Sequence, residues 1–394
     1  DAGLQEVKYD IEAARKEPGV MLLPTMYDSK ATLNFAERMF AEVKNRENLH
    51  MALGVQASKI IFESDRAVGV EVVTSSGKTR EIRVTEELIV AYGVVNTVKL
   101  LQQSGFGDAS LLQQYQIPVL QNLPLLGKEV LLNPMYPGIF IKCQRGSLLE
   151  PSDSDFSALG YVFKETTMQT SVASSFYKAF LQVQGTTEPN IQINIFTFSS
   201  KTKERLLYFM NGLFSFDQET IKFVLEEVSD HDIMFLVPQL LDLEVRAEIS
   251  ISGSDYKSTP IIDTHLFESS NDMLAMQRTL GIIKRVSKSS VFKGIGADLV
   301  QIPVGKCGPA TFSKEFNECS IRELTVASLH LTGGAIMGID ETSVVDEQLR
   351  LHGTQNCRIL NSAVIPNGLS TDSSAISTVI GRYGADMITK KIQF

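Results

Sequence analysis

The chain is poor in the features that commit a sequence to a special environment. Across 394 residues it carries 37 Lys and Arg against 46 Asp and Glu, a net charge of -9. That balance argues against a nucleic-acid surface, because a phosphate backbone needs clustered Lys and Arg. No apolar run approaches the length that spans a bilayer, so no membrane segment and a soluble protein are expected. Only four cysteines occur, Cys143, Cys307, Cys319 and Cys357, and no pair has the Cys-x-x-Cys spacing of a zinc or redox site. Cys307 and Cys319 bracket the polar loop CGPATFSKEFNEC and could close a local disulfide. The alternative is four buried free thiols. His50, His231, His265 and His352 lack ligand spacing such as His-x-x-x-His, so no metal is expected. No basic start followed by an apolar core marks a signal peptide; the chain begins at Asp1 in polar sequence, which for a processed chain says nothing about secretion.

What is present reads as a packed globular protein. Hydrophobic residues make up 43% and charged residues 21%. The length allows two domains, or one domain with a large insertion. In SKATLNFAERMFAEV, the residues Leu33, Ala36, Met39, Phe40 and Val43 share one helical face. Residues 48–84 read as successive strands, with turns at Ser64-Asp65 and at the SSGK stretch ending in Lys78. ELIVAY is a short buried strand, and Gly93 opens the turn into a helix over Val94 to Gln103, an α/β unit. The middle of the chain has another texture. Ile191, Ile193 and Ile195 alternate with Gln192 and Asn194, and VRAEISIS alternates likewise. With the amphipathic QETIKFVLEEV between them, this predicts an antiparallel sheet backed by helices, one face solvated or pocket-lining. Residues 271–287 and the last segment, SAISTVIGRYGADMITKKI, read as helices.

Four blocks, in order, resemble the glucose–methanol–choline (GMC) oxidoreductases, and among them the insect-type members. RENLHMALGVQASKIIFESDRAVGVEVV is similar to a strand pair of that family. ELIVAYGVVNTVKLLQQSGFG resembles its strand-turn-helix block ending in Ser-Gly-x-Gly, and LPLLGKEVLLNP its Leu-Pro-x-x-Gly-x-Asn-Leu-Gln-Asp-His block. Leu329 to Ile388 follows the family's C-terminal stretch, and the Cys307…Cys319 spacing looks like that of the insect-type members. The resemblance implies an α/β plus α+β fold, a flavin-binding lobe interleaved with a substrate lobe built on a large antiparallel sheet. The boundaries it suggests are 1–135 and 321–394 for the flavin lobe and 136–320 for the substrate lobe. It further implies FAD, oxidation of a CH–OH group by hydride transfer, and an extracellular location. Hydride loss needs a base beside the alcohol oxygen, because the developing alkoxide expels the hydride. The resemblance assigns His330 to that base, Asp372 to its partner position, and Gly93, Asn96, Asn133, Asn361 and Ser362 to the cofactor side.

Several of these positions depart from the family pattern. No Gly-x-Gly-x-x-Gly loop, which lets a backbone approach a pyrophosphate, occurs in the 394 residues. The chain is therefore expected to begin after the family's nucleotide-binding segment. The family's Thr in His-x-x-Gly-Thr is Gly334, and its Gln-Asp-His is Leu131, Leu132 and Asn133. A small residue has become Tyr92, Ser-Pro has become Thr97-Val98, and an Asp has become Asn361. The partner position, Asn or His in the family, is Asp372, whose ionised carboxylate only accepts hydrogen bonds and would repel an anionic reduced flavin. Asp372 also reads as a helix N-cap, and Asn96 has a similar capping reading. Two functions follow from the resemblance. One is an FAD-dependent alcohol oxidoreductase present as a truncated chain. The other is a flavin-free, inactive relative serving as a binding, carrier or storage protein. Expected partners are a small alcohol or apolar ligand, and a separate N-terminal fragment or a second copy covering exposed lobe surface.

Overall fold

Among the described residues nine strands pair into one sheet, and the order of those strands decides how the sequence is divided in space. A computed structural model describes residues 5–6, 19–22, 35–148, 177–183, 185–199, 202–328, 330–340, 342–367 and 373–390. Two compact units result. The first comprises residues 1–49, 134–242 and 269–327, and the second residues 50–133, 243–268 and 328–394. These breaks differ from the expected ones most in two places. Gly19–Leu22 pairs with Tyr177–Leu181, which ties the start of the chain to the large sheet rather than to the α/β unit. Glu248–Ser250 does not join that sheet; Ala247 bridges to Val130, and the Ile249 amide donates to Gly127 O at 2.7 Å.

In the first unit the path runs Gln5–Glu6, Gly19–Leu22, Tyr177–Leu181, Ile191–Phe198, Asp232–Leu240, Ile139–Cys143, Asp298–Gln301. Every pairing along it is antiparallel except the first. Phenylalanines bind one face of this sheet to the helices Lys203–Tyr208 and Gln218–Asp230. Phe140 and Phe235 are cross-strand partners whose rings stack with centroids 4.4 Å apart, a pairing that stabilises a sheet beyond the area it buries. The alternation in Ile191–Phe198 is present, but its polar side is not solvated. Gln192 and Asn194 are buried, and their amides satisfy one another: Gln192 Nε2 donates to Asn194 Oδ1 at 3.0 Å and to Gln239 Oε1 at 3.3 Å. Residues two apart on one strand share a face, and register sets Gln192 opposite Gln239.

The second unit holds the antiparallel strands Val55–Glu63, Arg66–Thr74 and Thr79–Arg83, with Ser64 in the left-handed region (φ 54°) at the expected turn. Beside them Leu88–Val90 and Cys357–Ile359 pair in parallel, far apart in sequence. The helices Gly93–Gln103 and Ser373–Ile388 pack onto a core that includes Val90, Val98, Leu101, Ile359 and Val364. The helix Phe35–Val43 forms where its period predicts, although Met39 is exposed.

Cys307 and Cys319 form a disulfide, with Cα atoms 5.6 Å apart, while Cys143 and Cys357 remain free and buried. Burial pushes the Cys143 thiol up to about 11, helped by Asp232, and the Cys357 thiol up to about 12, helped by Glu87. An unfolded thiol ionises near its ordinary value while the folded one keeps its proton. Stability present below pH 9 is therefore expected to fall as pH rises through 9 towards 11 and 12. A urea midpoint that falls across this window, with two thiols reacting only on unfolding, would bear this out. Two thiols that react in the native state would contradict it.

Candidate active site

Two parallel strands that end on the same edge create the setting for the candidate residues. Leu88–Val90 runs through Ala91 and Tyr92 into the helix Gly93–Gln103, and Cys357–Ile359 runs through Leu360 and Asn361 into the short 3-10 turn Ser362–Val364. Crevices beyond the carboxyl ends of parallel strands are where α/β folds take ligands. Asn361 staples this edge. Its Nδ2 donates to Val90 O at 3.2 Å and to Thr97 Oγ1 at 3.0 Å, while its Oδ1 accepts from the Ala363 amide at 2.9 Å. Both amide hydrogens and the oxygen thus have protein partners. Asn361→Ala is expected to cost about 2–3 kcal/mol, since it strands groups that are buried. Chemical denaturation would measure it, and a loss below about 0.5 kcal/mol would contradict the staple.

The histidine segment lies against this edge. Ser362 Oγ donates to Leu331 O at 2.9 Å, the Gly333 amide to Ser362 O at 3.1 Å, and the Ala335 amide to Ala363 O at 3.0 Å. On its other side Leu131 and Thr332 exchange backbone bonds, and the Ser328 amide donates to Asn133 O at 3.1 Å. His330 is half-buried; its amide donates to Ser328 Oγ, and its Nδ1 accepts from the Ser373 amide, both at 3.4 Å. Ser373 is the first residue of the last helix, so the imidazole takes up one of the amide hydrogens that a helix start leaves without an intrahelical partner. Gly334 has φ +89°, and a Cβ there would stand 3.1 Å from Val130 Cγ2 and 3.2 Å from Val98 Cγ2. Here backbone conformation and close packing account for glycine where the resemblance expects threonine.

Hydrogen bonds therefore link His330, Asn133, Ser362 and Asn361 into one locality. Gly93 starts the helix that follows Val90. Asp372 lies outside the described residues. The capping reading of Asn96 is corrected: it sits exposed within the first turn, and the N-cap is Tyr92, which makes no side-chain cap bond. Gly93 has φ +72°, with open space where a Cβ would be. An uncapped helix start with exposed Gly93 and Asn96 is an opening that suits an anionic or flavin group. In contrast, Asn133 is buried, Asn361 and Ser362 spend their polar groups on the protein, and Leu131 and Leu132 are buried apolar residues. The residues that fit FAD are thus those at the helix start, with Asn361 and Ser362 as scaffold behind them. Sequence reading missed Ser328 and Ser373, two of the hydrogen-bond partners of His330. Their only signal is proximity, in the sequence for Ser328 and at a helix start for Ser373.

Two family profiles, both described as GMC oxidoreductase, match the chain over residues 1–135 and 244–381. The chain is 26% identical over 357 residues to the ecdysone oxidase of Spodoptera littoralis, covering 89% of this chain and 57% of that protein. To the glucose dehydrogenase (FAD, quinone) of Drosophila melanogaster it is 25% identical over 364 residues, covering 90% and 55%. A GMC-type oxidoreductase of Mycobacterium tuberculosis is 26% identical over 365 residues, covering 91% and 63%. The chain thus spans between 55% and 63% of the length of these relatives. Among solved structures, a formate oxidase superposes with a TM-score of 0.76 at 16% identity, over 99% of this chain and 68% of that one. An FAD-dependent oxidoreductase from Chaetomium thermophilum gives 0.70 at 21% identity, over 99% and 70%. These two show a shared fold.

Proposed function

Since the chain belongs to the GMC oxidoreductase family, we propose that it serves FAD-dependent oxidation of a CH–OH group, with His330 as the side chain that meets the alcohol oxygen. The observation that carries this reading is the placement of His330 against the start of the last helix, hydrogen-bonded into the edge where two parallel strands end. FAD, when bound, supplies the hydride acceptor. Gly93 and Asn96, at the uncapped helix start, are the residues we assign to holding it. With Nδ1 accepting from the Ser373 amide, the neutral imidazole carries its hydrogen on Nε2. In that form the ring donates to an alcohol oxygen and orients it. Removal of the hydroxyl proton by Nε2 needs the other neutral tautomer, with the hydrogen on Nδ1 and the Ser373 contact released. The substrate class is an alcohol or a polyol, in keeping with relatives named ecdysone oxidase and glucose dehydrogenase. The Cys307–Cys319 disulfide supports an oxidising, extracellular compartment.

The test begins with a visible absorption spectrum of the purified chain, alone and after incubation with excess FAD. A flavin band that bleaches under anaerobic addition of an alcohol is the expected result. His330→Ala should then slow bleaching by roughly 10²-fold or more. A second reading, a flavin-free binding or carrier relative, is favoured by the internal satisfaction of Asn361 and Ser362 and by buried Leu131 and Leu132. A folded chain that acquires no flavin band even in excess FAD would replace the first reading by the second.

A further inference from the structure

The first unit contains a solvent-open cavity of about 320 Å³ lined by residues of the strands Ile139–Cys143 and Asp298–Gln301 and the helices Ser270–Val286 and Lys314–Leu324. This volume lies at the small end of the range in which proteins bind small molecules. Ile139, Leu280, Ile283 and Leu299 supply apolar wall, whereas Lys284 and Lys314 supply charge, and among the described residues no Asp or Glu lines it. In a chain of net charge -9, two lysines around one cavity without a carboxylate are a local reversal of sign. Neither lysine forms an ion pair among the described residues. Lys284 Nζ instead stands 4.7 Å from the centroid of the Phe312 ring, a contact that holds an ammonium without neutralising it. Phe312 is 44% exposed, so this pair stands at the solvent edge of the cavity. Phe312, Lys314 and Asn317 all lie between Cys307 and Cys319, and the disulfide restrains the segment that carries that wall.

We propose that this cavity binds a small amphipathic anion, a carboxylate on a medium-length apolar chain. The carboxylate meets Lys284 and Lys314, and the chain lies against Ile139, Leu280, Ile283 and Leu299. The inference does not rest on the flavin reading, since every lining residue belongs to the first unit and none is among the flavin or alcohol residues.

Calorimetric titration of the whole chain with octanoate, octanol and octylamine tests it. Octanoate should bind more tightly than octanol by roughly tenfold, the combined effect of two partly exposed charges. Octylamine should bind more weakly than either. Joint replacement Lys284→Gln and Lys314→Gln should bring octanoate level with octanol while leaving octanol binding unchanged. Gly281→Leu places a side chain in the cavity from a helix where an added Cβ meets only Arg285 Nη1, at 4.0 Å. It should abolish binding of both ligands while raising the melting temperature, because glycine is a poor helix residue. Failure of octanoate to bind, equal affinity for octanol, or a preference for octylamine would each overturn the proposal. So would unchanged octanoate binding in the Gly281→Leu protein.

Discussion

Gly333→Ala is expected to disrupt the second unit, at a cost on the order of 4 kcal/mol or more. Two independent demands converge on this residue. Its φ is +79°, where a Cβ is strained by its own backbone, and that Cβ would stand 2.1 Å from Glu129 O and 3.1 Å from the Glu129 carbonyl carbon. A backbone carbonyl offers no rotamer by which to retreat. The segment would have to withdraw, breaking the Gly333–Ser362 bond and the exchange between Thr332 and Leu131 that flank the histidine. Gly77→Ala serves as a control, since Gly77 has φ +76° but nothing within 4 Å of an added Cβ. It should cost only about 1 kcal/mol. Urea unfolding of both variants separates strain from collision. Similar losses for the two would show that the close approach to Glu129 is not what demands glycine at 333.

Arg358→Met is expected to cost about 3–5 kcal/mol. The arginine is 8% exposed, and its Nε donates to both Glu87 oxygens, at 3.2 and 3.0 Å. Nη2 donates to Glu87 Oε1 at 3.1 Å, and Nη1 donates to Gln348 O. Arg358 is the middle residue of Cys357–Ile359, and Glu87 immediately precedes Leu88–Val90, so the pair clamps the two parallel strands that carry the site edge. Removal of the cation leaves the half-buried Glu87 without Arg358 and the Gln348 carbonyl without its donor, which accounts for most of the loss. The double replacement Arg358→Met with Glu87→Leu should recover much of the stability, because no charge is then stranded. If the double variant is as unstable as Arg358→Met alone, packing rather than charge is responsible.

Much of the candidate site was legible because its motifs are contiguous. The strand and helix around Gly93 and the helix after residue 372 follow from local period and turn chemistry. The Ser328 to Pro366 stretch carries enough pattern for family resemblance. What the positions do was less legible. Asn361 looks like a lost cofactor ligand in the sequence, yet its amide joins Val90, Thr97 and Ala363, groups up to 271 residues away. Asn96 looks like a cap because asparagine favours that place, but the helix begins three residues earlier.

Pattern alone was enough for the classes of element, for the alternation in Ile191–Phe198, and for the order of the GMC blocks, since each depends on neighbours along the chain. It also narrowed Cys307 and Cys319 to a disulfide or two thiols, and only their juxtaposition at 5.6 Å resolved which. Tertiary structure decided that Gln192 and Asn194 face another amide, Gln239, because register between distant strands chooses what a polar face meets. It likewise decided that VRAEISIS belongs with Val130 and Gly127 rather than with the large sheet, since an alternating strand can pair with any edge that offers the right register. Hydrophobic period states which side of a segment is buried; the partner it is buried against is a long-range property that no local pattern contains.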